Sequence, residues 1–139
     1  MKRTALLPTL LLAAACATGA AGSAWQGEIH PSFLGTWKGS GVQSDDPQGG
    51  WTIAATLANG RVGTIVGTMT YPSVACGGDL VLRRARPDRL ELLEDITFGD
   101  CVDQGIVTLT PSGDGGLDYA WHQDGNAMTA TGTLTRAVR

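Results

Sequence analysis

From residue 33 onward, clusters of glycine, proline, asparagine and aspartate interrupt the sequence about every 12 to 15 residues, and the intervals between them alternate apolar and polar side chains. That rhythm constrains the fold more than any other feature. It leaves no room for a long amphipathic helix there and predicts eight strands, at residues 33–42, 51–57, 61–70, 79–85, 89–98, 105–110, 117–123 and 128–136. Twenty glycines and a charged fraction of 17% agree with a turn-rich β protein. Asn59-Gly60 is the strongest local signal. Both residues tolerate the positive φ of a type I′ turn, which predicts a tight hairpin between the second and third strands.

The connections are short, so neighbouring strands are expected to run antiparallel. Eight strands in simple order suggest closure into an up-and-down barrel, which removes the exposed edges of an open sheet. A β-sandwich is the alternative. A chain of 139 residues holds one such domain, expected at residues 33–139.

Parity assigns the faces. Met128, Ala130, Gly132 and Leu134 share one face of the last strand, and Thr129, Thr131, Thr133 and Thr135 the other. The threonine face is expected outside, because β-branched hydroxyls favour extended backbone and tolerate water. Arg136 then falls inside with Leu134. The first strand places Gly35, Trp37, Gly39 and Gly41 inward, and the second and seventh add Trp51, Tyr119 and Trp121 as lumen aromatics. Arg84 and Glu94 share the interior parity of the fourth and fifth strands, and a three-residue loop at 86–88 predicts a polar pair within the lumen. A buried carboxylate needs a donor and a buried guanidinium an acceptor, so the pair is either a satisfied structural contact or an anchor for a ligand.

The N-terminal segment carries an address. Lys2 and Arg3 precede an apolar run at residues 5–17, about the length of a signal-peptide core and too short to span a bilayer of roughly 30 Å. Leu12-Ala13-Ala14-Ala15-Cys16 resembles a bacterial lipobox, although Ala13 stands where leucine is usual. The resemblance implies residues 1–16 as signal peptide and lipobox, cleavage before Cys16, and a lipid on its sulfur. A small-x-small cut at Ala15-x-Ala17 or near Ala24 is the other option. Residues 17–32 would then be a flexible tether and lead-in, and the membrane a partner through the lipid anchor.

With Cys16 lipidated or removed, Cys76 and Cys101 remain. Outside the cytoplasm such a pair usually oxidises. In an up-and-down barrel the loops before the fourth and sixth strands lie at the same end, so a disulfide is geometrically possible. A metal site or redox pair is disfavoured, because Cys-x-x-Cys spacing and adjacent histidines are missing.

No catalytic residues are expected. His30 and His122 are the only histidines, and His122 falls on an outward face. Ser73, His122 and Asp124 make a triad on paper, but no nucleophile-elbow pattern accompanies them. No glycine-rich loop leads into a helix, so phosphate cradling and cofactors are not expected. A net charge of −3 leaves nothing basic enough to track a nucleic acid. Arg83, Arg84, Arg86 and Arg89 cluster, but acidic neighbours surround them.

Gly35-Thr36-Trp37 at the start, with Thr133-Leu134-Thr135-Arg136 at the end, resembles the Gly-x-Trp and late-Arg signature of calycin barrels such as lipocalins and avidins. The resemblance implies a Trp that seals one end and an Arg packed across it. Val66-Gly67-Thr68, Tyr71-Pro72-Ser73, Cys76-Gly77-Gly78-Asp79-Leu80, Glu94-Asp95-Ile96 and Cys101-Val102-Asp103 are similar to extracytoplasmic C-terminal domains of actinobacterial serine/threonine kinases. That likeness implies an external sensing or binding module with one disulfide. Two functions follow as expectations. One is a cell-envelope binding module that holds a small apolar or amphipathic ligand. The other is an interaction barrel, contacting an envelope protein or acting as a periplasmic protease inhibitor whose lead-in at residues 25–32 enters a cleft. A lumen void of a few hundred Å³ favours the first, and a filled lumen the second.

Overall fold

The computed structural model describes residues 28–137. The signal-peptide expectation, Cys16 and most of the expected tether lie outside the described residues. Eight strands follow in order: β1 (Gly35–Gln43), β2 (Asp46–Leu57), β3 (Ile65–Tyr71), β4 (Cys76–Arg86), β5 (Arg89–Phe98), β6 (Ile106–Pro111), β7 (Leu117–His122) and β8 (Ala130–Arg136). Each is antiparallel to the next, and β8 pairs back onto β1 with Trp37 opposite Arg136, so the sheet closes on itself as a barrel. That last pairing excludes the sandwich. Among the described residues, no helix is long and apolar enough to cross a membrane.

Period-2 patterning produces the core. Ile53, Ala55 and Leu57 of β2, Leu90 and Leu92 of β5, Val107 and Leu109 of β6, and Leu117 and Tyr119 of β7 are all buried. The threonines of β8 at 131, 133 and 135 are exposed, as expected. Burial of these apolar side chains is the main driving force, since each valine, leucine or isoleucine contributes roughly 1.5–3 kcal/mol when fully withdrawn from water.

The end where β1 begins and β8 finishes is shut. Ile29 and Phe33 plug it, at 1% and 0% exposure, and a 3-10 turn at Pro31–Phe33 carries the chain into β1. Trp37 donates its indole N–H to the Phe33 carbonyl at 2.9 Å. The Arg136 guanidinium lies 4.4 Å from the Trp37 ring and donates to the carbonyls of Leu34 and Ser32, at 2.7 and 2.9 Å. Gly35 adopts φ +116°, and a Cβ there would press on Arg136 Nη1. Arg136 as a residue is exposed, whereas parity alone places it inside. It stands on the last rung, so its side chain covers the end from without. Within the expected lead-in, Ile29 packs into the barrel.

Three sequence expectations give way to register. First, Asn59-Gly60 does not form a two-residue hairpin. β2 ends at Leu57 and β3 starts at Ile65, and the positive φ falls at Gly63. The Asn59 side chain instead accepts the backbone N–H of Ile29 at 3.1 Å, which fastens the plug. Tertiary demand for that acceptor overrides the local turn preference. Second, Arg84 does not face the lumen. β4 and β5 pair Leu82 with Leu92 but Arg84 with Glu91, so Arg83 is an extra residue on β4. This bulge reverses parity beyond it. Ala85 takes the interior position opposite Leu90, and Arg83 and Arg84 both stand in solvent. The Arg84–Glu94 pair is therefore absent, and the connecting loop is the two-residue Pro87-Asp88. Third, Phe98 shares the sequence parity of Leu90, Leu92 and Glu94, yet a bulge near Thr97 of β5 leaves it 50% exposed.

Candidate functional site

The opposite end, where β1, β3, β5 and β7 finish, is open. A cavity of about 490 Å³ enters the barrel there. Its walls are aromatic and soft: Trp51 from β2, Tyr71 closing β3, Tyr119 and Trp121 from β7, and Met128 ahead of β8. Val74 and Val102 stand at the rim, 54% and 42% exposed, on the loops that follow β3 and β5. Phe33, Trp37 and Ile29 close the shut end, and Trp51, Tyr71, Tyr119 and Trp121 line the open one.

The lumen aromatics expected from the sequence are here. Trp51 is half-buried, and Tyr119 and Trp121 are buried. Sequence reasoning missed Tyr71. Its neighbours Pro72 and Ser73 suggested a loop, but β3 runs on to Tyr71 and parity with the buried Met69 turns it inward. Trp51 meets Tyr71 edge to face, with ring centroids 6.4 Å apart.

Glu94 of β5 is the charged side chain of the lumen, at 2% exposure. Its partners come from β3 and β7 in place of Arg84. The Tyr71 hydroxyl donates to Glu94 Oε2 at 2.6 Å, and the Trp121 indole also hydrogen-bonds the carboxylate. The Tyr119 hydroxyl lies 3.0 Å from that of Tyr71. With the Tyr71 proton directed at Glu94, Tyr119 is the donor to Tyr71, which gives a relay from Tyr119 through Tyr71 to Glu94. No described buried side-chain N or O atom lacks a hydrogen-bond partner.

Burial disfavours the Glu94 charge and pushes its carboxyl up to about 7, against the opposing pull of the Tyr71 and Trp121 hydrogen bonds. Burial holds both tyrosines above their ordinary range as well, so their hydroxyls stay neutral donors. Asp103 moves the other way: it lies low because it accepts the backbone N–H of Ile96 at 2.8 Å and also that of Gln104.

The loop after β5 holds this floor in place. Glu94 exchanges backbone hydrogen bonds with it, donating to Gly105 at 2.9 Å and accepting from Gln104 at 3.0 Å. Gln123 donates to the Asp103 carbonyl and ties the end of β7 to the same loop. Gly105 is required there, because a Cβ would land on the Trp121 indole nitrogen. The Cys76–Cys101 disulfide bridges the start of β4 to this loop, with Cα atoms 5.9 Å apart. Cys101 itself lines the cavity.

The paper triad does not assemble as chemistry. Ser73 Oγ accepts the Thr52 backbone N–H, and His122 is exposed on the outer face of β7. Among the described residues, no group of three or more His, Cys, Asp or Glu side chains is placed to hold a metal ion. No protein family, curated protein or solved structure matches the chain.

Proposed function

We propose that this chain is an exported, lipid-anchored binding module of the cell envelope that holds a small apolar or amphipathic ligand in the open end of its barrel. The observation that carries this reading is the cavity of about 490 Å³ walled by Trp51, Tyr71, Tyr119, Trp121 and Met128. Its size and its aromatic and apolar wall residues, with a few convergent polar groups at the floor, are those of a small-molecule site. The disulfide fits an oxidising compartment, and the lipobox-like sequence at residues 12–16 supplies the anchor. The contact between Trp37 and Arg136 supports the calycin resemblance at the shut end. The protease-inhibitor alternative draws less support, since Ile29 is packed into the barrel and that part of the lead-in is not held out toward a partner.

Titration with N-phenyl-1-naphthylamine, a neutral apolar fluorophore, tests the reading. Saturable one-to-one enhancement, with loss of tryptophan emission from the cavity walls, is the expected result. Met128→Trp should narrow the cavity and weaken the signal while the circular dichroism spectrum is kept. Non-saturable or absent binding by the folded wild type would overturn the proposal.

A further inference from the structure

The cavity combines aromatic faces with acidic groups at two depths. Glu94 lies at the floor, and Asp46 and Asp100 stand at the rim. Among the described residues that line it there is no arginine, lysine or histidine. The groups facing Glu94 are Tyr71 from β3, Tyr119 and Trp121 from β7, and Asp103 from the loop after β5; its β4 partner is Leu80. None of these carries positive charge. An anionic ligand would meet only repulsion and a costly loss of hydration. A cation would meet the aromatic walls at Trp51 and Trp121 and a carboxylate that no positive side chain pairs.

Resting on the reading of this cavity as a ligand site, we propose that its ligand class is the small organic cation: a protonated or quaternary amine carried on an apolar body, with the ammonium toward Glu94 and the body against Trp51, Met128 and the rim valines. The pairing is reciprocal. A bound cation favours the ionised form of Glu94, so binding below neutrality expels a proton from that carboxyl. The affinity for a permanent cation therefore rises with pH toward about 7 and levels off above it.

Three probes of one shape test this: 2-phenylethylammonium, 2-phenylethanol and 3-phenylpropanoate, each titrated calorimetrically into the full mature chain. The cation should bind roughly tenfold or more tightly than the alcohol, and the anion most weakly. Only the cation should gain affinity between pH 5 and pH 8. At pH 6 its heat should differ between phosphate and PIPES buffers, neither a net cation, as proton release requires. In Glu94→Gln the ratio of cation to alcohol affinity should fall several-fold and the pH dependence should vanish. Should that variant not fold, Asp46→Asn with Asp100→Asn changes the exposed rim and should lower the same ratio several-fold. A cation that binds no better than the alcohol, or an anion that binds best, overturns the inference and leaves the cavity a binding site. Absence of all binding, with the naphthylamine also unbound, overturns the functional reading itself.

Discussion

The guanidinium of Arg136 sits 4.4 Å from the centroid of the Trp37 ring, directly across the seam where β8 meets β1. The contact joins the first and last strands and, through the Ser32 and Leu34 carbonyls, clamps the segment that plugs the barrel. Trp37→Ala should destabilise by about 3–5 kcal/mol, since it empties a fully buried site. Arg136→Ala should cost about 1–3 kcal/mol, the sum of an exposed cation–aromatic contact and two charge-assisted hydrogen bonds. Arg136→Lys should recover only part of that, because an ammonium cannot span both carbonyls and stack as a planar fork does. Urea unfolding of the three variants checks the order.

Reduction of the Cys76–Cys101 bond should lower stability by roughly 3–4 kcal/mol, as expected for a closed loop of 25 residues. Cys76 is buried but Cys101 is half-buried in the open cavity, so a small thiol should reach Cys101 Sγ and reduce the bond in the native protein without denaturant. Thermal unfolding with and without reductant, followed by thiol labelling, measures both effects.

Glu94 makes the protein less stable as pH rises. Its carboxyl moves from an ordinary 4.5 to about 7 on folding, so the native state binds the extra proton between those values. The favourable contribution is complete below pH 4.5 and is lost as pH climbs through 7. The loss is on the order of 3 kcal/mol at 1.36 kcal/mol per unit. Glu94→Gln should therefore flatten the profile, and relative to wild type it should gain stability from pH 5 to pH 8. Melting temperatures of both proteins across that range give the difference directly, and groups that titrate alike in the two cancel.

The mature protein should begin at Cys16 with a diacylglycerol on its sulfur and partition into detergent. Cys16→Ala should release it to the aqueous phase with an unchanged melting temperature, because the change lies ahead of the folded barrel. Intact mass and phase separation decide it; a soluble wild-type product starting after Ala17 or Ala24 would refute lipidation.

Much of the architecture was legible from residue pattern. Turn-forming clusters set the strand number, and period-2 alternation placed Trp37, Ile53, Leu92, Tyr119 and Leu134 inside. The even separation of the two loops placed Cys76 beside Cys101. These are local or counting properties of a chain. Asn59-Gly60 shows where they stop. Its preferred turn was outweighed by a hydrogen bond to Ile29, 30 residues away.

The site depended on relations that no single segment carries. At Arg83 one residue of β4 has no partner on β5, and that bulge turned Arg84 out to solvent. Glu94, without its expected partner, is instead held by Tyr71 and Trp121 from strands far from it in sequence. The open volume, likewise, is the difference between the radius of a closed eight-stranded ring and the summed bulk of the side chains that point into one half of it. Sequence determined which side chains face inward along the regular stretches, away from bulges and strand ends. Only the closed sheet, by fixing pairing register and radius together, decided that they leave a cup with a carboxylate at its floor.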